Sequence, residues 1–323
     1  MARIHPQRIR RFVDELRVEP GRKVRLPRDF DPTTTTRGIS RSEARSVLEN
    51  GIEFLAEYQA RLAAQDDYAV LICLQAMDAA GKDGAIRHVM SGVNPQGVEV
   101  HSFKVPSSED LSHDYLWRYQ KRLPERGHIG IFNRSHYEEV LIVKVRPQIL
   151  DGQKIPKKLK DRGIWKRRYR EINDWEHYLT DQGYRIVKIF LNVSKDEQRD
   201  RLVTRIDDPE RNWKFSAADV KERRNWDAYQ AAFADVLSNT STPWAPWYVI
   251  PADNKPFARL AAGAVILDTL VKIDPRYPRV SDEARAAFAD ARVELIEGKP
   301  PTPAGPSAAA ASGKGKSRKA RGS

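Results

Sequence analysis

The chain has 323 residues, 40% hydrophobic and 31% charged, with a formal net charge of +12. That apolar mass supports a large core, and the basic balance selects a polyanionic partner: nucleic acid, an anionic membrane or a phosphate-rich substrate. One cysteine, Cys73, excludes an intrachain disulfide framework. It suits a reducing cytoplasm, and the absence of a leader-like start or a run of about 18 apolar residues predicts a cytoplasmic protein with no membrane partner.

Residues 1–38 are basic and broken by Pro6, Pro20, Pro27 and Pro32. They read as an irregular arm with one short helix around Arg8–Leu16. A helix should begin at Ser40, where Ser40 and Glu43 have capping-box spacing, with an apolar stripe of Ala44, Leu48, Ile52, Leu55 and Leu62. Five apolar runs read as strands: Val70–Leu74, Val98–Phe103, Ile129–Phe132, Arg185–Leu191 and Trp247–Ile250. Between them lie helical patterns over Leu111–Arg122, Ile164–Leu179, Lys195–Arg205, Ala217–Leu237 and Phe257–Ile273. This alternation predicts an α/β fold, a parallel five-stranded sheet between helix layers, with ligands at the carboxyl ends of the strands. The division is a main domain over 39–280, a lid near 200–220, a helix over 281–297 and a disordered basic tail over 298–323.

Residues 71–86, LICLQAMDAAGKDGAI, carry the first chemical signal. A buried strand runs into a small-residue turn and a helix start, where backbone N–H groups and the helix dipole favour phosphate. Lys82 adds a point charge, and Ala79, Ala80, Gly81, Asp83 and Gly84 complete the loop. The match to G-x-x-x-x-G-K-S/T is imperfect: Ala76 replaces the first glycine and Asp83 the hydroxyl residue. A carboxylate beside phosphates needs a cation between them, so Asp78 reads as a metal residue.

The second signal is HIGIFNRSHYEEV, residues 128–140. A strand ends in Asn133, Arg134 and Ser135, where Arg134 can clamp phosphoryl oxygens and Asn133 can meet a phosphate or metal-bound water. Glu138 and Glu139 follow, placed to position a nucleotide or metal. The basic run Lys154–Arg170 ends in an amphipathic helix whose Lys166, Arg167 and Arg170 would line a polyanion groove. Arg205, Arg211 and Lys214 surround the Asp208-Pro209 turn and suit a lid that closes over reacting phosphates. Arg224 and Asp227 are candidate nucleotide contacts on the next helix. A solvated face or surface loop is the structural alternative for each of these charged segments.

The blocks AMDAAGKDG, SGVNPQGVEVHSFKVPS, DYLWRY, IFNRSHYEEVL, DDPERNWKF, RRNWDAYQ and TSTPWAPWYVIPADNK occur in this order over roughly residues 30–275. In this the chain resembles family 2 polyphosphate kinases, the polyphosphate:nucleotide phosphotransferases. The resemblance implies a three-layer P-loop kinase fold like that of thymidylate and adenylate kinases, with a helical lid. It implies Mg²⁺-dependent phosphoryl transfer between inorganic polyphosphate and AMP, ADP or ATP, in a homo-oligomer (dimer or tetramer) with no nucleic-acid partner. On that pattern Asp78 holds metal, Lys82 and Arg134 bind the transferring phosphate, and Arg205 and Arg211 serve the lid. Some members carry Asp where this chain has Asn133, so Asn133 is taken as a binding residue rather than a metal ligand. RSHYEEVL looks like the group that phosphorylates AMP and ADP. The competing readings are an ATP-dependent small-molecule kinase and a nucleic-acid-binding P-loop protein.

Overall fold

The five apolar runs become the strands of one all-parallel sheet, β1 (Ala69–Ala76), β2 (Val98–Ser102), β3 (Ile129–Asn133), β4 (Tyr184–Asn192) and β5 (Trp247–Pro251), in the order β2-β3-β1-β4-β5. The structure, a computed structural model, describes residues 6–35 and 41–298. The predicted cap at Ser40, with the side chains of Ala44 and Leu48, lies outside the described residues, as does the tail beyond 298. The helices are α1 (Pro6–Leu16), α2 (Arg41–Gln65), α3 (Lys82–Val89), α4 (Trp117–Gln120), α5 (Ile142–Val145), α6 (Pro147–Gly152), α7 (Ile164–Asp181), α8 (Lys195–Asp207), α9 (Ala217–Arg223), α10 (Trp226–Thr240), α11 (Lys255–Ile273) and α12 (Asp282–Glu297).

The central strand β1 is buried on both faces, which is why it reads as a continuous apolar run rather than an alternating one. Val70, Ile72 and Leu74 join one core with Leu55 and Leu62 of α2, Val89 of α3 and Val265 of α11. Leu71 and Cys73 point the other way, to Phe132, Tyr119 and Leu179 of α7. Helix, sheet and helix therefore form the three expected layers. The chain leaves β1 toward β3 and β2, then crosses to β4 and β5. Its switch point lies at the carboxyl end of β1, where such sheets bind ligands.

Two helical patterns end up shorter than expected. Leu111–Arg122 becomes a turn at Asp110–Ser112 and then α4, because His113 is extended and Asp114 accepts from the Leu116 amide to restart the chain. Ala217–Leu237 is split at Asn225 into α9 and α10. Arg223 at the break donates to the Lys195 carbonyl and Gln198 Oε1, holding α9 against α8.

The arm is tied in closely. Val13, Leu16, Val18 and Val24 are buried, Arg17 bridges Tyr248 antiparallel, and the Val18 amide donates to Trp247 O at 2.8 Å. These residues cover the open edge of β5. The described residues divide into a unit up to Tyr277 and a second from Pro278. In the second, α12 is N-capped by Ser281 and carries exposed Phe288, Leu295 and Ile296.

Candidate active site

The loop after β1 is built to leave α3 with an open N-terminus. Ala79 has φ 59° and Gly81 φ 106°, left-handed conformations that turn the chain sharply into α3. The loop carbonyls are drawn away from the cleft by α8. Gln198 Nε2 donates to Asp78 O (3.0 Å), and Arg201 donates to Ala79 O (3.2 Å) and Ala80 O (2.7 Å). Arg201 also reaches Ala252 O (2.6 Å) and Asp253 O (3.0 Å), joining the loop to the end of β5. The first-turn N–H groups of α3 have no intrahelical acceptor and, with the helix dipole, present positive potential. Lys82 Nζ donates back to Ala76 O at 3.0 Å. Burial lowers the affinity of this ammonium for its proton, opposed by the charge of Asp78.

The end of β3 lies beside this loop, since Leu74 pairs with Asn133. Asn133 Nδ2 donates to Asp83 Oδ1 at 2.8 Å, so its contact is with the loop. Arg134, at φ 64°, places its exposed guanidinium 3.2 Å from Asp78 Oδ1. Ser135 is buried. The Gln75 amide accepts from Ser135 Oγ (3.0 Å) and donates to Glu138 Oε1 (2.9 Å). Burial raises the Glu138 carboxyl above its ordinary pKa, against the pull of Arg134 and Lys82.

Two cavities meet here. The larger, ≈ 570 Å³, is lined by the loop 78–84 with Lys104, Asn133, Arg205 and Lys214. The smaller, ≈ 210 Å³, is lined by Glu138, Leu141, Glu222, Tyr229 and Phe233 among others. Asp78, Arg134 and Asp219 line both. Asp219 was not evident from the sequence, because Ser216 followed three residues later by an acid reads as a helix start, and Ser216 does cap α9. Burial and the Asp78 charge raise the Asp219 carboxyl, while Arg205, 3.2 Å away, lowers it.

Several candidates lie elsewhere. Lys166 and Arg170 are on the exposed face of α7, whose buried face holds Ile164, Arg168, Tyr169, Ile172, Glu176 and Leu179. Arg167 bonds to Asp161 (2.9 Å) and faces a separate cavity of ≈ 580 Å³ between residues 106–118 and 153–171. The reason is topological: α7 covers a face of the sheet, whereas the loop sits at its carboxyl edge. Arg211 pairs with Asp208 at 2.8 Å outside both meeting cavities. Arg224 and Asp227 are exposed and also outside them. Glu139 turns to Gln153 and the buried Arg168.

Comparison with known proteins agrees with this geometry. The family model described as polyphosphate kinase 2 matches residues 38–278. An ADP-polyphosphate phosphotransferase of Rhodopseudomonas palustris is 47% identical over 88% of this chain and 98% of its own length. An AMP/ADP-polyphosphate phosphotransferase of Meiothermus ruber is 44% identical over 81% of this chain and 94% of its own. The crystal structure of polyphosphate kinase 2 from Arthrobacter aurescens superposes with a TM-score of 0.78 at 38% identity, covering 86% of this chain and 96% of that one. With a phosphate loop, a facing arginine strand end and a match over most of its length, the chain belongs to the polyphosphate kinase 2 family and is a polyphosphate:nucleotide phosphotransferase.

Proposed function

We propose that this enzyme moves the terminal phosphoryl group reversibly between inorganic polyphosphate and AMP or ADP, working in the cytoplasm as a homo-oligomer. The observation that carries the reading is the pair of cavities meeting at Asp78, Arg134 and Asp219. The larger one, with the α3 N-terminus, Lys82, Lys104 and Lys214, suits a polyanionic donor. The smaller one, with apolar Leu141 and Phe233 beside Glu138, Glu222 and Tyr229, suits a nucleotide. Arg134 at the join can hold the group in transit and offset the charge that builds on its oxygens. Because the two cavities join, both substrates can be bound together and no covalent carrier is needed.

Mg²⁺ is the expected cofactor, and the donor set fits it. Asp78 and Asp219 face the same junction closely enough for Asp78 to raise the Asp219 carboxyl. Among the described residues no three His, Cys, Asp or Glu cluster as an all-protein cage. Mg²⁺ is commonly held by one or two carboxylates plus substrate phosphates. When bound it would neutralise phosphate oxygens. The chain's own part is to orient them through Lys82, Arg134 and the loop amides.

Initial rates with AMP or ADP and polyphosphate varied together test the reading. It predicts intersecting reciprocal plots, the pattern of two substrates on the enzyme at once. Parallel plots would require a phosphorylated enzyme and would contradict it. Transfer from ATP to an unrelated small molecule, with none from polyphosphate, would favour the small-molecule kinase. Tight oligonucleotide binding with a steep salt slope would favour the nucleic-acid reading.

A further inference from the structure

The turn that carries the site's arginine is fastened from behind by a buried ion pair and its hydrogen-bond partners, which touch no cavity described above. Glu176 of α7, Lys188 of β4 and His136 are all fully buried, and so is Tyr137. Glu176 Oε1 accepts from Tyr137 Oη (2.7 Å) and His136 Nε2 (3.1 Å). Its Oε2 accepts from Lys188 Nζ (2.6 Å). Lys188 also donates to Tyr137 Oη (2.9 Å) and to Thr240 O at the end of α10 (2.6 Å). The Glu176–Lys188 pair thus joins the turn after β3 to α7, β4 and the end of α10.

The cost of this arrangement suggests its purpose. A buried ion pair is a weak source of stability, and apolar side chains of similar volume often serve as well or better. The turn, however, must be held in an unfavourable place. Arg134 is a non-glycine residue at φ 64°, and such a conformation persists only where the surroundings over-determine it. Upstream it is held by its amide on Leu74 O (3.2 Å). Downstream, the next residues after Ser135 are His136 and Tyr137, the two that Glu176 grips. Glu138 follows at once and faces the smaller cavity.

We propose that Glu176, with Lys188 as its counter-ion, is a positioning residue for phosphoryl transfer: its grip on His136 and Tyr137 fixes the backbone that sets Arg134 and Glu138 on the cleft. This rests on the reading of the cleft given above. Glu176 itself touches no substrate. Its removal should therefore alter turnover through misplacement rather than lost binding charge, and misplacement of about 1 Å can cost on the order of a hundredfold in rate.

The test is the paired substitution Glu176→Leu with Lys188→Met, which removes both charges and keeps the volume. The expected result is a folded protein whose thermal midpoint is equal to or above the wild type's, with kcat down about tenfold or more and KM for either substrate changed much less. Glu176→Gln combined with Lys188→Met, which restores one acceptor oxygen toward His136 and Tyr137 without leaving a buried ammonium unpaired, should recover part of the lost kcat. A folded double variant with wild-type kcat overturns the proposal. If the pair does not fold, Tyr137→Phe decides, since it removes only the hydroxyl between turn and carboxylate: a several-fold fall in kcat supports the role, and unchanged kcat overturns it. Wild-type enzyme run alongside keeps the two readings apart, because absence of transfer from polyphosphate in the wild type would refute the assigned reaction and not the positioning role.

Discussion

The structure brings Asp78, Lys82 and Arg134 to one cleft, and the sequence marks them because each sits inside a contiguous pattern, a strand followed by a small-residue turn or a strand end rich in polar groups. Lys82→Ala should lower turnover by about a hundredfold or more with folding intact, since one well-placed electrostatic group typically contributes 10²–10³; circular dichroism beside steady-state rates checks both halves. Asp78→Asn should abolish most activity, and raised Mg²⁺ should restore part of it. An unchanged Mg²⁺ titration in that variant would remove Asp78 from the metal. Arg201 and Gln198 were not legible. They lie in KDEQRDRLVTRIDD, where dense alternating charge reads as a solvated face, and only the fold turns them under the phosphate loop. Arg201→Met would leave four backbone carbonyls without their donor. It should cost at least about 3 kcal/mol of stability by denaturant titration and lower turnover as the loop loosens.

At the scale of elements, the five strands could be read from their apolar runs, and their ends fall within two residues of expectation. The helices misjudged were those where a side chain competes with the helix, Asp114 at one break and Arg223 at the other. The amphipathic pattern of α7 was also readable, but not where α7 would lie. Arg168 and Glu176 show why. Both are charged, and both are buried on its inner face because partners from other elements meet them there. Because α7 covers the sheet, Lys166→Ala with Arg167→Ala should change the KM for polyphosphate by less than about twofold, as expected of surface charges; a large rise would return the donor groove to this helix. The ion pair behind α7 has a pH signature. Burial pushes the Glu176 carboxyl up, but the Lys188 ammonium and the bonds from His136 and Lys188 outweigh it and leave it below its ordinary value. Its contribution is present above the unfolded value and lost as pH falls through the lower folded one. The wild-type thermal midpoint should therefore fall more steeply than that of Glu176→Gln below about pH 4.5. Equal slopes would count against the pair as a source of acid sensitivity.

For the whole molecule, charge and chemistry point the same way. A net charge of +12 suits a catalyst that must bring two polyanions together. Among the described residues no helix is long and apolar enough to cross a membrane. The layout of layers was readable from alternating strands and helices, whereas the meeting of two cavities at Asp78, Arg134 and Asp219 depends on how α9 folds back and was not. The most direct measurement is chromatographic detection of ADP and ATP from AMP or ADP with polyphosphate as sole donor, with and without Mg²⁺, for wild type and Lys82→Ala. Mg²⁺-dependent product is expected from wild type, and at least about a hundredfold less from the variant. Product formed equally well by Lys82→Ala, or none by wild type under any of these conditions, would contradict it.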